Sequence, residues 1–421
     1  MSERILLCLA HMSGKEMDFI KEAFDQNWVV PLGPNVNGFE KDLEKFVNGR
    51  EGAAPLDKKV VALSAGTAAV HLALIACGVK AGDEVIVQSF TFCASSHPVT
   101  YLGATPVFVD SEKDTWNMDP ELLEEAIKDR IAKTGRKPKA IVLVALYGMP
   151  YNITKIMEIA NSYEIPVVED AAEGFGSRFN GQVLGTFGKY GVLSFNGNKM
   201  ITTSGGGALI CADDEAKKQI MWYATQARES YPYYQHEAIG YNYRMSNICA
   251  GIGRGQMTVV DEHIAHHRHV QALYKELLKD VKGIILHEAP SPEYDSNYWL
   301  CTATLDSDLK IKGQDKAYAE VITGAVGGAA GVTHATKSAH TALEPNANVE
   351  AMRMFLDAAG IESRPLWKPM HCQPVYKDAP AYTNGVSESL FRVGICLPAG
   401  PWVTDDHVRY IVDKIKAAIE L

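Results

Sequence analysis

The chain has 421 residues, 47% of them apolar and 22% charged, and carries a formal net charge of −10. That length exceeds one ordinary domain and calls for a large core with a second lobe, while the acidic balance excludes a nucleic-acid surface, which needs clustered Lys and Arg. The eight cysteines are scattered without a CxxC pair and read as small buried thiols of a reducing compartment; the apolar run of residues 5–10 is too short for a signal segment or a membrane span, so a cytoplasmic location is expected.

Ser13-Gly14-Lys15-Glu16 has the Ser-x-x-Glu form of a capping box, and Met17, Ile20 and Phe24 then recur on one helical face. This predicts an N-terminal helix whose apolar stripe wants a partner. A proline-pinned extended loop from Trp28 to Pro34 leads to a second helix over residues 36–48. From Lys59 to about Ile210, Val- and Ile-rich strands at 60–63, 84–87, 106–109, 140–145 and 167–169 alternate with helices at 68–77, 121–130 and 153–163. Gly78 ends the first of these helices, and Asp119-Pro120 opens the next as N-cap and N1 pair. Repeated βα units of this kind imply a mostly parallel, helix-covered sheet whose ligands lie beyond the carboxyl ends of the strands.

Residues 215–278 read as helical, interrupted by the aromatic loop 231–236 and by Gly240–Asn247. Beyond Asp280 the pattern changes to short strands and helices, including the run 298–303, and a domain change is placed near Val281. The stretch Gly324–Thr341 is rich in Gly, Ala, Ser and Thr without an apolar period and reads as a mobile insertion. A helix over 349–359, a strand at 362–364, the loop 367–371 and a final helix over 405–419 complete the chain. The expected organisation is an N-terminal arm (1–50), a large domain (51–280) and a small C-terminal domain (281–421).

Three stretches carry chemistry. Residues 194–207 set Lys199 in a polar, glycine-flanked turn between two short apolar runs, which aims an amine into a site. Residues 165–172 form a buried-strand pattern ending in Glu169 and Asp170, acids at a carboxyl edge. Residues 60–74 pass through Ser64-Ala65-Gly66-Thr67 from strand to helix, and free N–H groups at such a start, with a hydroxyl beside them, make a phosphate seat. Each has a plainer reading as a surface lysine, a helix cap and a tight turn. Together they supply what pyridoxal 5′-phosphate (PLP) requires: an imine-forming amine, an acid for the ring nitrogen and a phosphate anchor. His263 and His267 stand at i, i+4, but no nearby third ligand completes a metal set, so no metal and a solvated helix face are expected. Gly205-Gly206-Gly207 lacks the GxGxxG spacing, which disfavours a Rossmann oxidoreductase.

The pieces Gly66-Thr67, Glu169-Asp170-Ala171-Ala172-Glu173, Ser194-Phe195-Asn196-Gly197-Asn198-Lys199 and Gly240–Asn247, in that order, resemble the DegT/DnrJ/EryC1/StrS family of PLP-dependent nucleotide-sugar aminotransferases. The resemblance runs from about Leu32 to the C-terminus. It implies the PLP fold-type I architecture: a large α/β domain with a mostly parallel sheet of the seven-stranded type, a smaller α+β C-terminal domain, and a homodimer with shared active sites. It implies Lys199 as the Schiff-base lysine and proton carrier, and Asp170 on the pyridine nitrogen. Gly66, Thr67 and Ser194 fall on the phosphate, Phe92 on the ring face and Glu173 at O3′, while Asn242 reaches the neighbouring subunit's phosphate. Trp28, Arg244 and His371 are candidate substrate contacts, each with an ordinary packing role as the alternative.

The implied reaction moves an amino group from L-glutamate, leaving 2-oxoglutarate, to a nucleotide-linked keto sugar in polysaccharide or glycan biosynthesis. The runs 234–247 and 365–371 are most similar to enzymes acting on UDP-linked 4-keto-6-deoxy-N-acetylhexosamine, with GDP- and dTDP-sugar enzymes sharing the motifs. A PLP-dependent sugar dehydratase of the family would carry histidine where Lys199 stands, and a non-catalytic regulatory member would tend to lose the lysine or the acid.

Overall fold

The computed structural model describes residues 4–50, 52–318 and 343–420; the Gly324–Thr341 stretch lies outside them. Helices α1 (Glu16–Asp25) and α2 (Pro34–Val47) lead into the sheet. Pro34 opens α2, where a missing N–H costs nothing, and Val36, Phe39, Leu43 and Val47 bury one face. The start of α1 is not a full capping box. The Glu16 carboxylate accepts the N–H groups of Ser13 and Gly14 at 2.8 and 3.0 Å, but the Ser13 hydroxyl accepts from Lys15 rather than from the helix. Met17 and Phe24 stay 68% and 61% exposed, so the apolar stripe is left uncovered among the described residues.

Strands β1 (Lys59–Leu63), β2 (Glu84–Gln88), β3 (Thr105–Val109), β4 (Ala140–Val144) and β5 (Val167–Asp170) alternate with helices α3 (Gly66–Ala76), α4 (His97–Tyr101), α5 (Pro120–Thr134) and α6 (Ile153–Ser162). A short hairpin, β6 (Arg178–Phe179) and β7 (Gln182–Val183), precedes a longer one, β8 (Tyr190–Ser194) and β9 (Gly207–Cys211). The large sheet runs β1-β9-β8-β5-β4-β2-β3, with β9 antiparallel to both its neighbours and the other pairings parallel. Strand alternation divides its side chains between two layers. Val60, Ile86, Ile141 and Val167 pack with α2, α5 and α6, whereas Val61, Val85, Val142 and Val168 pack with α3. Cover on both faces is why these strands read as unbroken apolar runs.

Helices α7 (Asp214–Ala224), α8 (Asn247–Met257) and α9 (Val260–Leu278) follow. A Cβ on Gly253 of α8 would stand 2.6 Å from the Phe39 ring, so glycine lets α8 lie directly on α2. The histidines of α9 depart from the expected solvated face: His263 and His267 are 4% and 0% exposed. They share the buried stripe of Val260, Ile264, Val270 and Tyr274. Their Nδ1 atoms lie 3.2 Å from the carbonyls of Met200 and Tyr298, respectively.

The remaining strands are β10 (Ile284–Leu286), β11 (Tyr294–Asp295), β12 (Cys301–Leu305), β13 (Arg364–Pro365), β14 (Ala381–Tyr382) and β15 (Gly394–Leu397). Among them run helices α10 (Ala347–Ala358), α11 (Val386–Val393) and, last in the chain, α12 (Asp405–Ala418). An antiparallel sheet, β10-β12-β15-β13, packs with α9, α10 and α12 around Tyr274, Met352, Ile395 and Ile411. The N-terminal segment joins this lobe, since Ile5 pairs with Ile361. β14 instead runs parallel to β3 and makes the large sheet eight-stranded rather than seven-stranded. A two-residue strand between Pro380 and Asn384-Gly385 is too short to show a period.

Candidate active site

The carboxyl ends of β1, β5 and β8 meet the start of α3 in a cleft of about 350 Å³, whose walls include Gly66, Thr67, Phe92, Asp170, Glu173, Ser194, Lys199, Trp299 and Trp367. A larger hollow of about 840 Å³ lies at the opposite end of the sheet, beside Arg136, Lys137, Lys139 and Lys189. There Lys137 donates to the Tyr163 carbonyl at 3.0 Å, closing the C-terminus of α6. Lys137 also pairs there with Glu164 at 3.2 Å and Arg136 with Asp83 at 3.7 Å, whereas Asp170, Glu173, Lys199 and Ser194 line the smaller cleft.

Alternation decides which of the two strand-end acids faces the cleft. Glu169 turns away and staples the loop after β7, accepting the N–H groups of Gly185, Phe187 and Gly188 at 2.9, 2.7 and 2.5 Å and the Tyr151 hydroxyl. Asp170 points in. Its Oδ2 accepts from Ser95 Oγ at 2.7 Å, its Oδ1 from the Ala172 N–H at 3.2 Å, and the Thr91 hydroxyl lies 2.8 Å from that of Ser95. Burial raises the pKa of Asp170 above the ordinary carboxylate value, with the Ser95 hydrogen bond pulling the other way. Burial also raises that of Glu173, opposed chiefly by the charge of Lys199.

Lys199 sits in the turn between β8 and β9, closed by its N–H on the Asn196 carbonyl at 3.0 Å. Its side chain is 12% exposed, and Nζ donates to Glu173 Oε1 at 3.2 Å. Helix α3 begins after Ala65 without any side-chain cap, so its first-turn N–H groups have no side-chain partner. A Cβ on Gly66 would come within 3.3 Å of Ser194 Oγ, so bare backbone donors and a hydroxyl adjoin at this end of the cleft. Such a helix start is an anion seat. With a buried acid and a confined amine on the same cleft, the residues present fit PLP.

Phe92, 53% exposed, stands at the rim with its ring 5.5 Å from that of Trp367. Four further candidate residues do not line this chain's own cleft. Asn242 is exposed, bridges to Thr225 and is not among the cleft's walls. Trp28 offers its carbonyl to Asn247 Nδ2 at 3.0 Å. Arg244 is held within the chain: its guanidinium donates to Glu40 at 2.7 Å and to the Ala62 carbonyl at 2.8 Å, with 8% of the side chain exposed. A charge this buried needs its partner. His371 lies between Ser89 and Glu388, beyond the cleft wall.

Sequence reasoning missed a circuit that closes around the amine. The Trp299 ring centroid lies 4.3 Å from Lys199 Nζ, and its indole N–H donates to the Asn198 carbonyl at 2.7 Å. Asn297, fully buried, accepts the Trp299 N–H at 2.9 Å and donates to the carbonyls of Glu173 at 2.8 Å and Phe175 at 3.0 Å. Glu173, Lys199, Trp299 and Asn297 thus hold one another. Gly148, at φ +94°, makes room: a Cβ there would fall 1.9 Å from Asn297 Oδ1.

The model of the DegT/DnrJ/EryC1/StrS aminotransferase family matches residues 11–317 and 323–416. The putative pyridoxal phosphate-dependent aminotransferase EpsN of Bacillus subtilis (strain 168) is 41% identical over 422 residues, spanning 99% of this chain and 96% of that protein. GDP-perosamine synthase of Escherichia coli O157:H7 is 33% identical over 404 residues, 96% of this chain and 95% of that one. Among solved structures, a DegT DnrJ EryC1 StrS aminotransferase from Brucella abortus superimposes with a TM-score of 0.79 and 26% identity, over 96% of this chain and 95% of that chain.

Proposed function

The chain belongs to the DegT/DnrJ/EryC1/StrS aminotransferase family, as a PLP-dependent enzyme of fold type I, and we propose that it moves the amino group of L-glutamate onto a nucleotide-linked 4-keto-6-deoxy sugar. The observation that carries this reading is the convergence of Lys199, Asp170 and the uncapped start of α3 on one cleft.

Bound PLP supplies an electron sink for the carbon that loses and regains a proton. In this reading the chain's own groups do the rest. The first turn of α3, with the hydroxyls of Thr67 and Ser194, binds the phosphate. Asp170, steadied by Ser95 and the Ala172 N–H, sets a negative charge against the ring nitrogen. Lys199 Nζ carries the proton, with Glu173 keeping the amine close to the reacting carbon. Phe92, Trp299 and Trp367 keep water from the reacting face, which strengthens every charge contact inside.

A second copy completes the site in this reading. The exposed apolar residues Met17, Phe24, Val29, Val30 and Leu32 on and after α1 support a homodimer, with Asn242 of one protomer reaching the phosphate of the other. All eight cysteines are free, which supports a reducing, cytoplasmic setting. Among the described residues no helix is long and apolar enough to cross a membrane.

The UDP-linked N-acetylhexosamine form is the first substrate to test. A GDP-linked sugar is the second reading, supported by the 33% identity to a GDP-perosamine synthase. Lysine at position 199 speaks against a dehydratase. Incubating the protein with glutamate and a panel of UDP-, GDP- and dTDP-linked 4-keto-6-deoxy sugars, with product mass and 2-oxoglutarate as readouts, ranks them. Preference for the GDP sugar transfers the assignment to the second reading, and no amination of any member ends both.

A further inference from the structure

Beyond the cleft wall, three side chains bring unlike metal-binding atoms together. His371 and Cys372 lie in the short turn Met370–Cys372, and Glu388 in the first turn of α11; one ligand atom from each lies within 4.8 Å of the others. His371 Nε2 is 3.2 Å from Glu388 Oε1, about the edge of a tetrahedron whose ligands stand about 2.0 Å from its centre.

The ring is held from behind. His371 Nδ1 is 2.6 Å from Ser89 Oγ, which also accepts the His371 N–H at 3.2 Å. Ser89 is fully buried, its N–H on the Val109 carbonyl and its own carbonyl accepting the Met370 N–H. A fixed hydroxyl on one ring nitrogen orients the other toward the Glu388 carboxylate, as outer-shell groups do around metal-ligating histidines. Imidazole, thiol and carboxylate together suit a zinc-class ion; magnesium and calcium take oxygen ligands.

We propose that His371, Cys372 and Glu388 form a binding site for a zinc-class divalent ion, with three protein ligands and a fourth position open to water. The residues belong to neither the amine nor the phosphate end of the cleft. An ion there would tie the 370–372 turn, and through it the loop that carries Trp367 to the cleft, onto α11.

The test uses the PLP-loaded protein after dialysis against a chelator. Equilibrium dialysis against Zn²⁺ with elemental analysis should give one ion per chain in the wild type, and Co²⁺ difference spectra should show a thiolate-to-metal charge-transfer band. Cys372→Ser, with its far-ultraviolet circular dichroism unchanged, should lose that band. Ser89→Ala should weaken Zn²⁺ binding by about 10- to 100-fold. Zn²⁺ should raise the thermal midpoint of the wild type and not of Cys372→Ser. Cobalt bound without the sulfur band, a band of equal strength in Cys372→Ser, or no stoichiometric Zn²⁺ binding would overturn the site.

Discussion

The indole ring of Trp299 faces the Nζ of Lys199 at 4.3 Å while its N–H holds the carbonyl of Asn198, the preceding residue, at 2.7 Å. One side chain therefore fixes both an amine and the backbone that carries it. Trp299→Phe keeps a ring against the amine and drops the bond to Asn198. Its kcat/KM should fall about 10-fold, the equivalent of one hydrogen bond of about 1.4 kcal/mol, and the urea midpoint should fall by less than in Trp299→Ala. Trp299→Ala should also cost about 3–5 kcal/mol of stability, because the indole is buried. Wild-type kinetics in Trp299→Phe would show that the Asn198 bond does not position the amine.

Lys199→Ala should abolish amination and leave the fold intact. Borohydride treatment of the PLP-loaded wild type should add the mass of the reduced cofactor to the peptide containing Lys199, and no other peptide should gain it in the variant. Turnover of a keto sugar by Lys199→Ala would falsify its assignment as the amine that bonds the cofactor.

Gly148→Ala should lose more than about 2 kcal/mol, since the added methyl meets Asn297 Oδ1 and the backbone is left-handed there. Gly205→Ala meets nothing within 4 Å and should stay within about 0.5 kcal/mol of the wild type. Urea denaturation of the pair checks both, and equal stability of the two variants would contradict the packing described.

The parts legible in the sequence are those with local causes. Ala140–Val144 is buried along its whole length, so it prints as an unbroken apolar run, and Lys199 and Asp170 sit where strands end. Trp299 and Asn297 could not be read this way. The bond from Trp299 to Asn198 spans 101 positions and lands on a backbone carbonyl, which no side-chain spacing encodes. Arg244 stands in a local motif, but its ion-pair partner Glu40 lies 204 positions away. His263 and His267 read as polar letters, yet they share the stripe of Val260 and Ile264, and only the tertiary fold tells a dry helix face from a wet one.

Burial lowers the pKa of His263, His266 and His267, the last to about 3. A histidine with a depressed folded value binds fewer protons than the unfolded chain between the two values. Its stabilising contribution is thus complete above 6.5 and is lost as the pH falls toward the folded value. The Nε2 atoms of all three have no partner among the described residues to receive an added proton. From His267 alone, stability at pH 5.5 should be about 1.4 kcal/mol below that at pH 8. Urea midpoints at the two pH values measure this, and a midpoint that rises on acidification would reverse the sign.

The shared-site reading makes a complementation experiment decisive. Lys199→Ala and Asn242→Ala homodimers should each be impaired, whereas a mixed dimer places an intact lysine opposite an intact asparagine in one of its two sites. Refolded mixtures should regain about half the wild-type activity per mixed dimer, following two-fold symmetry. Activity no higher than the average of the parents would put Asn242 within its own protomer's site or outside any.

Residues 381 and 382 close the far side of the large sheet, with the N–H groups of Phe108 and Asp110 held by the carbonyls of Pro380 and Tyr382 at 2.8 and 3.0 Å. During synthesis β3 must therefore wait for more than 270 further residues before that margin is paired. A nascent or proteolytically clipped form stopping short of Pro380 would offer a bare strand to its neighbours, and such margins recruit other chains. The tendency to clump should be greatest for products missing only the last tenth of the polypeptide, even though their cofactor cleft is otherwise fully encoded.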